Sequence, residues 1–212
     1  MTVNQVKPFD RVFQQLQELG LMLVSDQQFP SVAYTIAKTP RKGSWWSYPE
    51  AHTIFAVNEM LEDHPDVLIV KLISGKVTFV HRELWGPVYS IGVARENWQT
   101  KALSTNAKLL LKKIDAEGKV QTNLLGKAFD SKPGVAAREL ELSLLIHSKQ
   151  LHTESGAHAK ILETWDIWAK SVKFRGTPKN PLAARRCLEE RLASIQKDYG
   201  GSGRLPWPPN AS

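Results

Sequence analysis

At 212 residues the chain is long enough for one large domain or two small ones, and 42% hydrophobic residues supply a core. Its single cysteine, Cys187, excludes an internal disulfide, no apolar run approaches the roughly 18 residues that span a bilayer, and MTVNQVKPFDRVF lacks the basic start and apolar run of a signal peptide, so a reducing cytoplasm is the default setting. The net charge of +7 and pI near 9.5 make polyanions, nucleic acid above all, the partners to consider.

Residues 9–20 carry Val12, Phe13, Leu16 and Leu19 at helical spacing, with Gly20 placed to close the helix in the left-handed region. From Leu21 to Lys42 the stretches LMLVS and SVAYTIA have strand-like content, while Phe29-Pro30 is equally able to open a helix. Ser47 with Glu50 spells a capping box and Pro49 suits an early helical position, so a helix starts here, with Ile54, Phe55, Met60 and Leu61 as its apolar face and His64-Pro65 as its end. DVLIVKLI and KVTFVH around Ser74-Gly75 make a hairpin over residues 67–81. A further helix covers 83–97, with Gly86-Pro87 able to delay or kink it.

Ser104 to Ala116 sets Ala107, Leu110, Leu111 and Ile114 on one face, with Gly118 at the end. A short second helix is expected over 120–125, a loop over 130–134, and a third helix over 135–145 with Ala137, Leu140, Leu144 and Leu145 on one side. IHSKQLHT and AHAKILETW then form a hairpin around Glu154, Ser155 and Gly156. Three helices and a hairpin in this order make a winged helix. Trp165 and Trp168 end the wing and lead into a basic connector, WAKSVKFRGTPK. Asn180-Pro181 opens a last helix on which Leu182, Leu188, Leu192, Ile195 and Tyr199 face one way. GGSGRLPWPPNAS is too rich in glycine and proline for regular structure and reads as a flexible tail or a strap. No repeat of fixed period is visible.

The helix-then-hairpin order, with the strings WWSYPEAH, DVLIVKLISGKVTFVHRELW and LHTESGAHAKILETWDIWAK, resembles the bacterial AlkZ-related proteins, distant relatives of winged-helix DNA glycosylases, over about residues 43–170. The resemblance implies tandem winged helices that grip DNA. In that superfamily a Q-x-Q or Q-x-D motif positions the water that attacks the glycosidic bond. The nearest string here, Gln15-Leu16-Gln17, lies inside the first expected helix, so no catalytic role is carried over to it.

The candidate nucleic-acid contacts fall in three groups. Lys149, His152, Ser155, His158 and Lys160 sit on or beside the wing, where phosphate contact competes with an ordinary solvated hairpin. Arg138 lies on the third helix, the one that enters the major groove in helix-turn-helix docking, although Glu139 and Glu141 flank it there. Arg41, Lys42, Trp45 and Trp46 place cations beside paired indoles that either stack bases or anchor the core; Trp85, Trp98, Trp165 and Trp168 read as core first. His147, His152, His158 and Glu154 are the one cluster of metal-ligand types, but on a strand His147 points away from His152, so no metal and no cofactor is assigned. Cys187 is given no chemistry.

The reading is therefore an α+β protein, winged-helix-like, with a helix-turn-helix plus a β-hairpin wing, present once or in tandem. Its parts are an N-terminal half over 1–98, a winged-helix half over 99–170, a basic connector and helix over 171–199 and a tail over 200–212. The expected function is binding of double-stranded or damaged DNA without a membrane, a homodimer being left open. A glycosylase-like hydrolase and a non-enzymatic protein-interaction module are the alternatives.

Overall fold

The computed structural model describes residues 7–39, 43–125, 133–152 and 158–208, the side chains of His152 and His158 excepted. It is mixed α+β, with two antiparallel three-stranded sheets. Residues 1–85 with 186–205 make one compact unit and 86–185 with 206–212 another, so the division follows Trp85 and not residue 98. Among the described residues no helix is long and apolar enough to cross a membrane.

In the first unit α1 (Pro8–Leu19) opens on a proline, whose missing N–H is no loss in a first turn, and buries Val12 and Leu16. Gly20 closes it at φ 72°, donating its N–H to Leu16 O at 2.8 Å, and the chain turns directly into the buried strand β1 (Leu21–Leu23). SVAYTIA proves helical because Ser31 caps α2 (Val32–Ala37), its hydroxyl accepting the Tyr34 N–H at 3.2 Å.

The next helix, α3 (Ala51–Glu62), begins later than the capping-box pattern implies. Trp45–Ser47 form a 3-10 turn capped by Ser44, and the Ser47 hydroxyl donates backward to Ser44 O at 2.7 Å, so it caps nothing ahead. Ile54, Val57, Asn58 and Leu61 are the buried stripe. Phe55 and Met60, expected inside, lie about 100° to either side of that stripe and are exposed. β2 (Val67–Lys71) and β3 (Val77–His81) form the expected hairpin, and β1 adds to β3, giving the order β1-β3-β2. The glycine-rich ending is a strap on the turn of this hairpin. The Ser74 N–H donates to Arg204 O at 2.7 Å, and the Arg204 N–H donates back to Ser74 Oγ at 3.1 Å.

In the second unit the single helix expected over 83–97 divides into α4 (Trp85–Ala94), a left-handed Arg95, and α5 (Asn97–Thr100), which has its own capping box of Glu96 and Gln99. Ser104 caps α6 (Thr105–Glu117) and Gly118 closes it. Where a second short helix was expected over 120–125, the chain forms β4 (Lys119–Gln121) and one 3-10 turn. Pairing decides this: Val120 lies opposite Leu162, and Thr122 Oγ1 accepts the Lys160 N–H at 2.9 Å.

The third helix is α7 (Pro133–Leu142), followed by β5 (His147–His152) and β6 (His158–Glu163) in the order β4-β6-β5. Trp165 and Trp168 do not end the wing but lie in α8 (Trp165–Ser171), and α9 (Pro181–Tyr199) follows the connector. After Arg185 this helix belongs to the first unit; Ala184, Arg185, Leu188, Leu192 and Ile195 on it are buried, while Leu182 and Tyr199 are exposed. Leu110, Ile114, Ala137, Leu140 and Leu162 lie at the centre of the second unit's apolar cluster.

The two units share a plan. In each, a helix closed by a left-handed glycine runs into a short strand, a later helix precedes a hairpin, and the first strand pairs with the third. The two glycines differ in their surroundings. A Cβ on Gly20 would stand 2.6 Å from Leu84 Cδ1, whereas on Gly118 it would meet Ile167 Cγ1 at 3.3 Å. Gly118→Ala should therefore lower the urea-unfolding free energy by about 1 kcal/mol through backbone strain alone, and Gly20→Ala by about 2–4 kcal/mol through strain plus overpacking.

Candidate nucleic-acid interface

On α7 the two acids that flank Arg138 turn away from its outer side. Both oxygens of Glu139 cap α6: the Ser104 N–H and hydroxyl donate to them, each at 2.9 Å. Glu141 is 5% exposed and accepts from Ser148 Oγ at 2.7 Å and from Lys160 Nζ at 2.5 Å. Ser148 and Lys160 reach it because their side chains share the helix-facing side of the sheet with Leu162. Lys160, a candidate phosphate contact, is thus engaged by a buried carboxylate. Arg138 itself is exposed, as is Lys149 on β5.

On the other face of the sheet His147 Nδ1 lies 2.9 Å from Glu163 Oε1, and both are nearly enclosed, with the rings of Trp165 and Trp168 about 6 Å from the imidazole. The backbone register sets His152 opposite His158. Ser155 and the rest of the hairpin tip lie outside the described residues, as do Arg41 and Lys42. Among the described residues no three histidines, cysteines or acids converge as a metal site would require.

Trp45 and Trp46 stack at 4.0 Å between ring centroids. Trp45 packs on the first unit's core, and Trp46, 61% exposed, lies tilted against the half-open Phe55 with 5.5 Å between ring centroids. The pair divides the two roles weighed for it, one indole an anchor and the other a surface. Trp85, Trp165 and Trp168 are buried. Gln15 Oε1 accepts the Thr35 hydroxyl at 2.6 Å and Leu16 lies in the core, so the Gln-Leu-Gln string fastens α1 to α2.

Charge is divided unevenly. The first unit holds 12 lysines and arginines against 12 acids and the second 16 against 9, so the whole excess of +7 falls on the second. Every described acid of that unit has a partner within it. Glu96 meets Arg185 and the Trp98 indole, Asp115 meets Arg95, Glu117 meets Lys113, and Asp166 accepts the Tyr89 hydroxyl at 2.7 Å; Glu139, Glu141 and Glu163 are held as described above. Lys101, Lys108, Lys112, Lys119 and Arg138 are exposed and pair with no acid among the described residues. Connector cations Lys170, Lys173, Arg175 and Lys179 are alike in this. A sequence reading that scores each charge by its neighbours in the chain misses this sorting, since Glu139 finds its partner 35 positions away.

No family model matches the chain, and neither a curated protein nor a solved structure matches it.

One titration and a pair of stability measurements follow from this packing. Burial, and then the hydrogen bond to Asp166, push the Tyr89 hydroxyl from its ordinary 10 up to about 12. Its contribution to stability is complete below pH 10 and is lost as the pH climbs through 12. Absorbance titration should show one of the four tyrosines ionising late, and Tyr89→Phe should remove that late step. Lys160→Met, which strands the Glu141 carboxylate, should cost about 3 kcal/mol of unfolding free energy, while Lys113→Met, at an exposed helical pair, should cost under about 0.5 kcal/mol.

Proposed function

We propose that each unit is a winged helix and that the second binds double-stranded DNA, with α7 presented to the groove and the β5–β6 hairpin to the backbone. The observation that carries this reading is the sorting of charge on the second unit, where every described acid has a partner within the unit while exposed cations such as Arg138, Lys108 and Lys112 meet no acid among the described residues. The helix and strand order supports it, because a first strand pairing with the third, beside a hairpin that follows the last helix, is the winged-helix arrangement. The likeness of residues 43–170 to AlkZ-related proteins favours damaged or modified DNA as the target. The exposed face of Trp46 suits that target, since a base that has left the stack offers a flat partner. Binding, with no chemistry assigned, is the function proposed, in a reducing cytoplasm where Cys187 stays a thiol.

Fluorescence anisotropy with a labelled duplex tests it. The wild-type chain should bind with an affinity that falls steeply as salt rises. Arg138→Ala and Lys149→Ala should each weaken binding about 3- to 10-fold and make the plot of log K against log salt shallower by about 1. Failure to bind intact, mismatched and abasic duplexes alike at low salt would remove the proposal.

A further inference from the structure

The connector between α8 and α9 combines exposure with fixation. Residues 174–180 have no helix or strand, and all but Phe174 are exposed, yet the segment is pinned along its length. At its start Lys173 stands in the left-handed region at φ 54°, and the Phe174 N–H donates to Ala169 O at 2.8 Å. This is the hydrogen-bond signature of a Schellman cap, at a position where glycine is the usual residue. Phe174 then inserts beside Tyr89 and Trp168, with centroids 5.6 and 5.8 Å away. Gly176 lies against the tip of the Phe174 ring, so close that a Cβ there would come within 2.1 Å of Cζ. At the far end the Lys179 N–H donates to Ser90 Oγ at 2.9 Å, and Asn180 Oδ1 caps α9 by accepting the Leu182 N–H at 2.8 Å.

Between these pins Lys170, Lys173, Arg175 and Lys179 all project to solvent with no acid against them among the described residues. A loop that only links two helices and keeps the surface soluble needs neither the ring anchor nor the glycine pressed against it. Nor does it need a lysine in a backbone conformation that disfavours side chains, although the nearby end of α8 eases the charge through its dipole. We propose that residues 170–179 are a preset rail for nucleic-acid phosphates, a second contact line separate from α7 and the hairpin that reads charge and not sequence. The rail rests on the DNA-binding reading given above and adds to it a dedicated backbone contact. Fixing the chain before binding removes the ordering entropy that a loose basic loop would lose on the phosphates.

Lys173 makes the rail testable apart from the fold. Lys173→Gly deletes a cation while relieving the left-handed backbone, so its unfolding midpoint should equal or exceed that of the wild type while its binding weakens. Combined with Arg175→Gln and Lys179→Gln, it should lower affinity for duplex DNA at least about 10-fold and flatten the salt dependence by about 2–3, close to one counterion per lost phosphate contact. Gly176→Ala keeps every charge but displaces the Phe174 ring, and should also weaken binding several-fold. A folded triple variant that keeps the wild-type slope overturns the rail and leaves the DNA-binding proposal standing, whereas a wild-type chain that binds no DNA overturns both. Wild-type affinity in Gly176→Ala, with its Phe174 contact shown to be broken by near-ultraviolet circular dichroism, overturns the preset geometry. Should the triple variant not fold, the slope of Lys173→Gly alone, expected to be shallower by about 1, decides.

Discussion

The carboxylate of Glu141 is the point on which the second unit's arrangement turns. An ionised acid buried among Leu140, Leu162 and their neighbours is tolerable only if a cation and a hydrogen-bond donor meet it, and Lys160 and Ser148 do so from the two strands of one hairpin. The contact fixes more than charge. It sets the last turn of α7 against both β5 and β6, and with Glu139 bound to the start of α6 it fixes which side of α7 faces out. Arg138 is what remains on that side, together with Val135. A helix that reads as acidic along the chain is therefore cationic where solvent meets it.

The first unit uses the same order of elements for a different surface. Its net charge is zero, and the helix in the place of α7, α3, shows Phe55, Met60 and Glu59 outward. Trp45 and the buried stripe of α3 hold this face in place just as Glu141 and Leu140 hold the other, but the exposed groups are apolar and acidic. Two units of one topology can therefore do different work, because function lies in the outward residues and the plan lies in the inward ones.

Much of this plan could be read from the sequence, and the parts that could not have two kinds of cause. α1 and α6 were legible because apolar residues recur at helical spacing up to a glycine, and β2 and β3 because β-branched runs flank Ser74-Gly75. β4 was not: three residues carry no period, and the strand exists only because Val120 meets Leu162 across more than 40 positions. SVAYTIA favours strands by composition but is turned to helix by the single hydroxyl of Ser31. Phe55 and Met60 were placed inside because apolarity was taken for burial, when the stripe through Ile54 and Leu61 had already filled the inner face. Among the candidate contacts, Lys160 shows the same limit, since its acid partner lies on another element. Arg138 and Lys149 do reach solvent. For β4 and Lys160 the deciding partner is remote in sequence, whereas for SVAYTIA and the face of α3 it lies within the same turn or helix.

That limit bears hardest on electrostatics. A formal charge of +7 is a weak argument for a polyanionic partner as long as each lysine has an acid of its own to meet, because paired cations release few counterions. Net charge counts all of them alike. The structure separates them by geometry: Arg95, Lys113, Lys160 and Arg185 neutralise acids of their own unit, while the cations of the connector and the outer side of α6 do not. Those acids do not oppose an approaching phosphate, since their charge is already balanced at contact distance. Pairing leaves the net charge of this unit unchanged but decides where it is displayed, on the outer side of α6 and along the connector closed by Lys173 and anchored by Phe174.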